Sequence, residues 1–138
     1  MAFEHAYRLA GPADPLNMKF TVATGQTVTR GQLLELTSGT VQKASNGSTS
    51  IIGVALEDGS AGDEVLVMVS NDVVFRVPFT GAVKTSLTTS DIGTAFDITS
   101  DADAIDLDDT TGGMCQVLRY DNDKGLAWVV VKGRAFTY

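Results

Sequence analysis

Apolar and polar positions alternate most regularly between residues 51 and 82, IIGVALEDGSAGDEVLVMVSNDVVFRVPFTGA. Residues 51–57 are apolar and β-branched, and Asp58-Gly59-Ser60-Ala61-Gly62 supplies the turn chemistry that reverses the chain. Residues 63–70 follow, with Val65, Val67 and Val69 on one face and Leu66 and Met68 on the other. A strand apolar on both faces requires cover on both sides. After Ser70-Asn71-Asp72, the residues Val73, Phe75, Val77 and Phe79 alternate with Val74, Arg76 and Pro78, the period of a half-buried strand. Pro78 has no N–H to give to a ladder, which places the end of that strand at an edge or barrel rim.

The flanking chain carries the same pattern. Residues 19–24 (KFTVAT) predict the first core strand, and residues 32–36 (QLLEL) begin the next. Thr37-Ser38-Gly39-Thr40 is a hairpin signal, with residues 41–44 as the return strand and a polar loop from Ser45 to Ser50. The second half then repeats this order. GQLLELTS from Gly31 matches GTAFDITS from Gly93, and Val65 to Val69 match Ala127 to Val131 at the same offset, with Phe75 falling near Phe136. Residues 113–120 take the place of 51–57, and Asp121-Asn122-Asp123-Lys124-Gly125 takes the place of the turn at 58–62. Chance similarity between two β-meanders is one explanation. Duplication of one β-module of about sixty residues accounts for the shared order more directly. The predicted fold is all-β: a compact β-barrel or sandwich over residues 19–138, built from two pseudo-repeated modules that bury their apolar faces against each other.

Residues 1–18 differ from the rest. Phe3, His5, Tyr7 and Leu9 alternate, and Gly11-Pro12-Ala13-Asp14-Pro15 then interrupts any regular element. A frayed terminus is one reading. Disordered tails seldom hold Phe3, Tyr7, Leu9 and Leu16 so close together, so the favoured reading is an extended arm that stays mobile until a partner orders it. Fully extended, it reaches about 60 Å, enough to cross to a neighbouring subunit. Phe3, Tyr7, Leu9 and Leu16 are the candidate anchors to a partner surface or a second subunit.

The segments GVALEDGSAGDEV and FRVPFTGA, in this order and spacing, resemble the tailed-phage capsid cement (head decoration) proteins, over a stretch running from about Thr24 to the C-terminus. The resemblance implies a structural virion protein on the outer surface of the expanded capsid. It further implies a homotrimer at local three-fold positions, the major capsid protein as partner, and addition after the precursor shell has expanded. The alternative is a monomeric β-sandwich binding module, for instance for carbohydrate, displayed on a virion or free.

Composition narrows the chemistry. A net charge of −7 disfavours a nucleic-acid backbone or an anionic membrane surface as the main partner. No signal-peptide pattern opens the chain and no segment approaches a membrane span, so synthesis in the host cytoplasm is expected. His5, the single histidine, lies in the arm, so no Ser-His-Asp or Cys-His arrangement forms in the core, and neither a phosphate loop nor zinc-spaced Cys/His residues occur. No enzyme activity, cofactor or metal is expected. Cys115, the single cysteine, sits among Met114, Val117 and Leu118 and reads as a buried apolar residue. Tyr120, Trp128 and Tyr138 suggest either a sugar-stacking surface or, for Trp128 between Ala127 and Val129, core or subunit packing. DITSDADAIDLDD, from Asp97 to Asp109, holds six aspartates in thirteen residues. Its spacing does not fit an EF-hand loop, and a solvated acidic hairpin around Ala104, Ile105 and Leu107 is the plainer reading. Millimolar calcium is therefore expected to leave the thermal unfolding midpoint unchanged. A rise of several degrees that a chelator reverses would establish a calcium site in this stretch.

Overall fold

The alternating segments pair into antiparallel strands in the computed structural model, which describes residues 1–9 and 15–136. The first module comprises β2 (Asn17–Thr21), β4 (Leu33–Thr37), β5 (Thr40–Lys43), β6 (Ile51–Ala55) and β8 (Glu64–Met68), in the sheet order β2-β8-β6-β4-β5. A short pair, β3 (Thr27–Val28) with β7 (Gly59–Ser60), sits beside it. The ends of this sheet meet where Val22, just past β2, forms a parallel bridge to Val41 of β5.

The second module has the same connectivity. It comprises β9 (Val73–Thr80), β10 (Ala95–Ile98), β11 (Ile105–Asp106), β12 (Cys115–Asp121) and β13 (Leu126–Val131), and β9 pairs with both β13 and β11. The β11–β9 pairing is parallel, Ile105 to Phe79 and Asp106 to Thr80, and it closes a five-stranded barrel. Individual hydrogen bonds recur as well. Gly31 N–H to Ala55 O becomes Gly93 N–H to Val117 O, and Val22 N–H to Asp63 O becomes Phe79 N–H to Gly125 O. Gly31 and Gly93 also share a backbone that other residues seldom adopt, with φ of 89° and 91°. The two modules are a structural repeat, and the only helical element among the described residues is a 3₁₀ turn, Thr89–Asp91.

Burial departs from the expected face-to-face arrangement. The first barrel encloses its own interior of Val22, Leu34, Val41, Ile52, Val65 and Val67. The second encloses Phe96, Ile105, Met114, Val117, Ala127 and Val129, and this core runs on to Leu33, Ile51, Val54 and Met68 from the first module. Closing each sheet on itself frees one side of the first barrel to pack against the second, so the modules meet outer face to core. Met68 and Val67, neighbours on β8, accordingly belong to different cores. The C-terminal segment then returns to the first barrel: Ile51 N–H donates to Gly133 O, Ala135 N–H to Ile51 O, and the Arg134 guanidinium to Ile52 O and Val69 O.

The N-terminus is also docked. A strand β1 (Glu4–Arg8) pairs antiparallel with β9 from Val73 to Arg76, and Phe3 is buried in the second core. The mobile arm expected from composition is corrected here. One aromatic side chain with a prepared slot, plus a main-chain ladder, offsets the ordering of a short strand. The segment 10–14, which holds Gly11, Pro12 and Asp14, lies outside the described residues. The first core strand also begins at Asn17 rather than Lys19. Pro78, expected at the end of its strand, stands inside β9 where one edge passes from β1, whose pairing stops at Arg76, to β11, whose pairing starts at Phe79. The missing donor falls at that step.

Because the cores share a layer, the two barrels are expected to unfold as one unit. Leu34→Ala in the first interior and Phe96→Ala in the second should lower stability by about 2–5 and about 3–5 kcal/mol respectively. Both should shift a single urea transition, and two separable transitions would show that the barrels are independent.

Candidate interaction surface

One connector gathers segments that are far apart in the chain. Val69 to Asp72 links β8 to β9, and hence the first module to the second. Its Ser-Asn-Asp sequence favours a turn, and every residue in it holds another segment. Asp72 O accepts from Leu9 N–H at 2.9 Å, and the buried Ser70 Oγ accepts from Leu16 N–H at 2.6 Å. Val69 N–H donates to Leu16 O, and Asn71 Nδ2 donates to Phe136 O, both at 2.9 Å. The Arg8 guanidinium clamps the Asp72 carboxylate, with Nε 3.0 Å from both oxygens and Nη2 2.8 Å from Oδ1. A pairing of this kind, two-pronged and partly shielded from water, fixes direction as well as distance.

The anchored residues carry large apolar side chains that point outward. Leu9 is 61 % exposed, Leu16 52 %, Phe136 43 % and Tyr7, two residues before Leu9, 42 %. The main chain under each of these except Tyr7 is held by the connector, so the side chains are displayed on a fixed frame. Several exposed large apolar side chains anchored at one connector are a candidate interaction site.

Of the four residues singled out as anchors, three lie here. Tyr7, Leu9 and Leu16 are exposed, whereas Phe3 is 3 % exposed and meets Phe75 edge-on, ring centroids 6.0 Å apart. Phe3 is a core residue, because the alternation that brings Tyr7 outward at β1 is broken by a bulge between His5 and Tyr7. Phe136 was not singled out. It falls near Phe75 in the repeat, yet Phe75 is wholly buried and Phe136 is exposed.

The other candidate chemistries resolve differently. Trp128 is half-buried on the outer face of β13, with the Arg119 guanidinium 4.2 Å from its ring centroid. That cation–π contact across paired strands covers the ring. Tyr120 packs against the second core, and Tyr138 lies outside the described residues. The acidic stretch forms the expected hairpin between β10 and β11, with Asp101 and Asp108 exposed, and its carboxylates also organise turns. The Asp108 carboxylate accepts from the N–H groups of Ala82, Val83 and Lys84, which hold it below the usual carboxylate range. Asp97, expected to be solvated, is buried; that burial pushes its carboxyl up, with N–H groups of Ile98 and Gly47 opposing the shift and Asp109 and Asp106 adding to it. Among the described residues no group of three or more His, Cys, Asp or Glu is arranged to hold a metal ion. Cys115 is buried in the second core, and burial raises its thiol far above the ordinary range, with the Asp97 charge a smaller contribution. A cleft of about 510 Å³ runs beside β1, with Val54, Leu56, Met68 and Phe75 among its walls and His5 and Arg30 also lining it.

Compared with known proteins, the chain matches no family model and no curated protein.

The two kinds of N-terminal side chain separate by stability. Phe3→Ala should lower the unfolding free energy by about 3 kcal/mol or more, the cost of emptying an aromatic core slot. Tyr7→Ala and Leu9→Ala should stay within about 0.5 kcal/mol, as at ordinary surface sites. Three equally small effects in urea titrations would show that β1 is not docked in solution.

Proposed function

We propose that this protein is a capsid cement protein that binds the outer surface of an expanded tailed-phage shell and stabilises it by adhesion, without catalysis. The observation that carries this reading is that Tyr7, Leu9, Leu16 and Phe136 are exposed, the last three with their main chains held by the connector from Val69 to Asp72, in a molecule whose two cores are complete without them. The resemblance of GVALEDGSAGDEV and FRVPFTGA to the cement proteins supports the same reading and supplies the partner, the major capsid protein. The active form is a homotrimer at local three-fold positions. Each copy then needs only a modest contact, because three linked contacts gain from high effective concentration. A ligand that binds only the assembled shell stabilises it by mass action, about 2.7 kcal/mol per site when present at a hundred times its Kd. The net charge of −7 suits copies held side by side at high density without further association.

The test is a sedimentation titration on expanded and unexpanded shells. The full chain should bind the expanded form, and a variant combining Tyr7→Ser, Leu9→Ser, Leu16→Ser and Phe136→Ser should bind at least about tenfold more weakly, equivalent to about 1.4 kcal/mol. Its unfolding midpoint should change little. Failure of the full chain to bind expanded shells would remove the proposal.

A further inference from the structure

Among the described residues, the repeat leaves one position filled in the second module and vacant in the first. Strands β2 and β9 are equivalent residue by residue through their partners. Lys19 faces Leu66 as Arg76 faces Trp128, Met18 faces Val67 as Phe75 faces Val129, and Thr21 faces Glu64 as Pro78 faces Leu126. On β9, the edge away from β13 is covered by β1, with Glu4 opposite Arg76 and Tyr7 opposite Val74. On β2, the matching edge presents the main-chain groups of Asn17 and Lys19, and no strand among the described residues pairs with it before the bridge at Val22. Asn17, Met18, Lys19 and Thr21 are all exposed. Unpaired N–H and C=O groups in a row are a template for strand addition.

The filled position specifies what fits the vacant one. At β9, Glu4 forms an ion pair with Arg76, and Phe3 packs on Phe75. At β2, Lys19 stands where Arg76 stands and exposed Met18 stands where Phe75 stands. The complementary strand therefore carries an acidic side chain opposite Lys19, preceded by an apolar one that covers Met18. A second copy's β1 is a poor occupant. It is held on its own chain by the Arg8–Asp72 pair, and Pro15 occupies the place at β2 that Asp72 occupies at β9. Two β2 edges side by side bring Lys19 near its own copy, and like charges across strands are unfavourable.

We propose that the open edge of β2 binds an extended, antiparallel segment of the shell protein with this apolar–acidic sequence, a contact that rests on the capsid reading and adds a main-chain ladder to it. Two measurements test it. In the first, a synthetic peptide of residues 2–9 of this chain, which carries the required Phe-Glu pair, is added at millimolar concentration to the free protein. Amide exchange at Asn17 and Lys19 should slow, and Lys19→Glu should abolish the effect while Lys19→Arg retains it. In the second, exchange is measured on protein bound to expanded shells. The same amides should be protected, and Lys19→Glu should weaken shell binding at least about tenfold with an unchanged unfolding midpoint. No protection by the peptide would show that the edge does not accept a strand. Protection by the peptide without protection on bound shells would overturn the shell segment as occupant, while the number of sedimented copies judges the decoration reading separately. A dimer in sedimentation that Lys19→Glu abolishes would assign the edge to a second copy and overturn the proposal.

Discussion

The fold depends on a single strand that is buried on both faces. β6 sends Ile52 and Ala55 into the first barrel and Ile51 and Val54 into the layer shared with the second. Along its edges it pairs with β4, β8 and the returning C-terminal segment. Gly53 at its centre is required by close approach, since a Cβ there would strike the Met68 carbonyl. With every direction from this strand occupied, neither module can shift relative to the other without breaking a core or a ladder. Everything described on the surface, including the connector from Val69 to Asp72, is positioned by that constraint.

Much of this was legible in the sequence because it is local. Period-two alternation located β8 and β9, and the Ser38-Gly39 pair, with φ of 48° and 83°, forms the tight hairpin that its residues announce. The duplicated order of glycine, strand and turn also translated directly into duplicated topology. What alternation could not supply was long-range pairing. The parallel contacts that close the barrels, Val22 with Val41 and Phe79 with Ile105, join residues with no mutual signal in the chain.

The surface was read with less success, for a related reason. Phe3, Tyr7 and Leu9 look alike in a sequence, and only the bulge after His5 and the slot beside Phe75 divide them into core and surface. Phe136 is exposed because the chain reaches it as a short return along β6, without a full strand to bury it. The aspartates between Asp97 and Asp109 read as solvated by composition, and Asp101 and Asp108 are exposed, but Asp97 is buried because backbone N–H groups there need an acceptor. Composition describes what a segment can dissolve in, and its hydrogen-bond obligations decide where it goes.

The burial of Cys115 has a consequence for handling the molecule. A lone thiol sealed in the second core, and held protonated by its surroundings, is shielded from oxidants and alkylating reagents while the barrel is closed. Copies packed together in air therefore do not cross-link through sulfur. Opening of the core around Cys115 exposes the sulfur atom, so the rate at which a thiol reagent reacts reports how often that core opens.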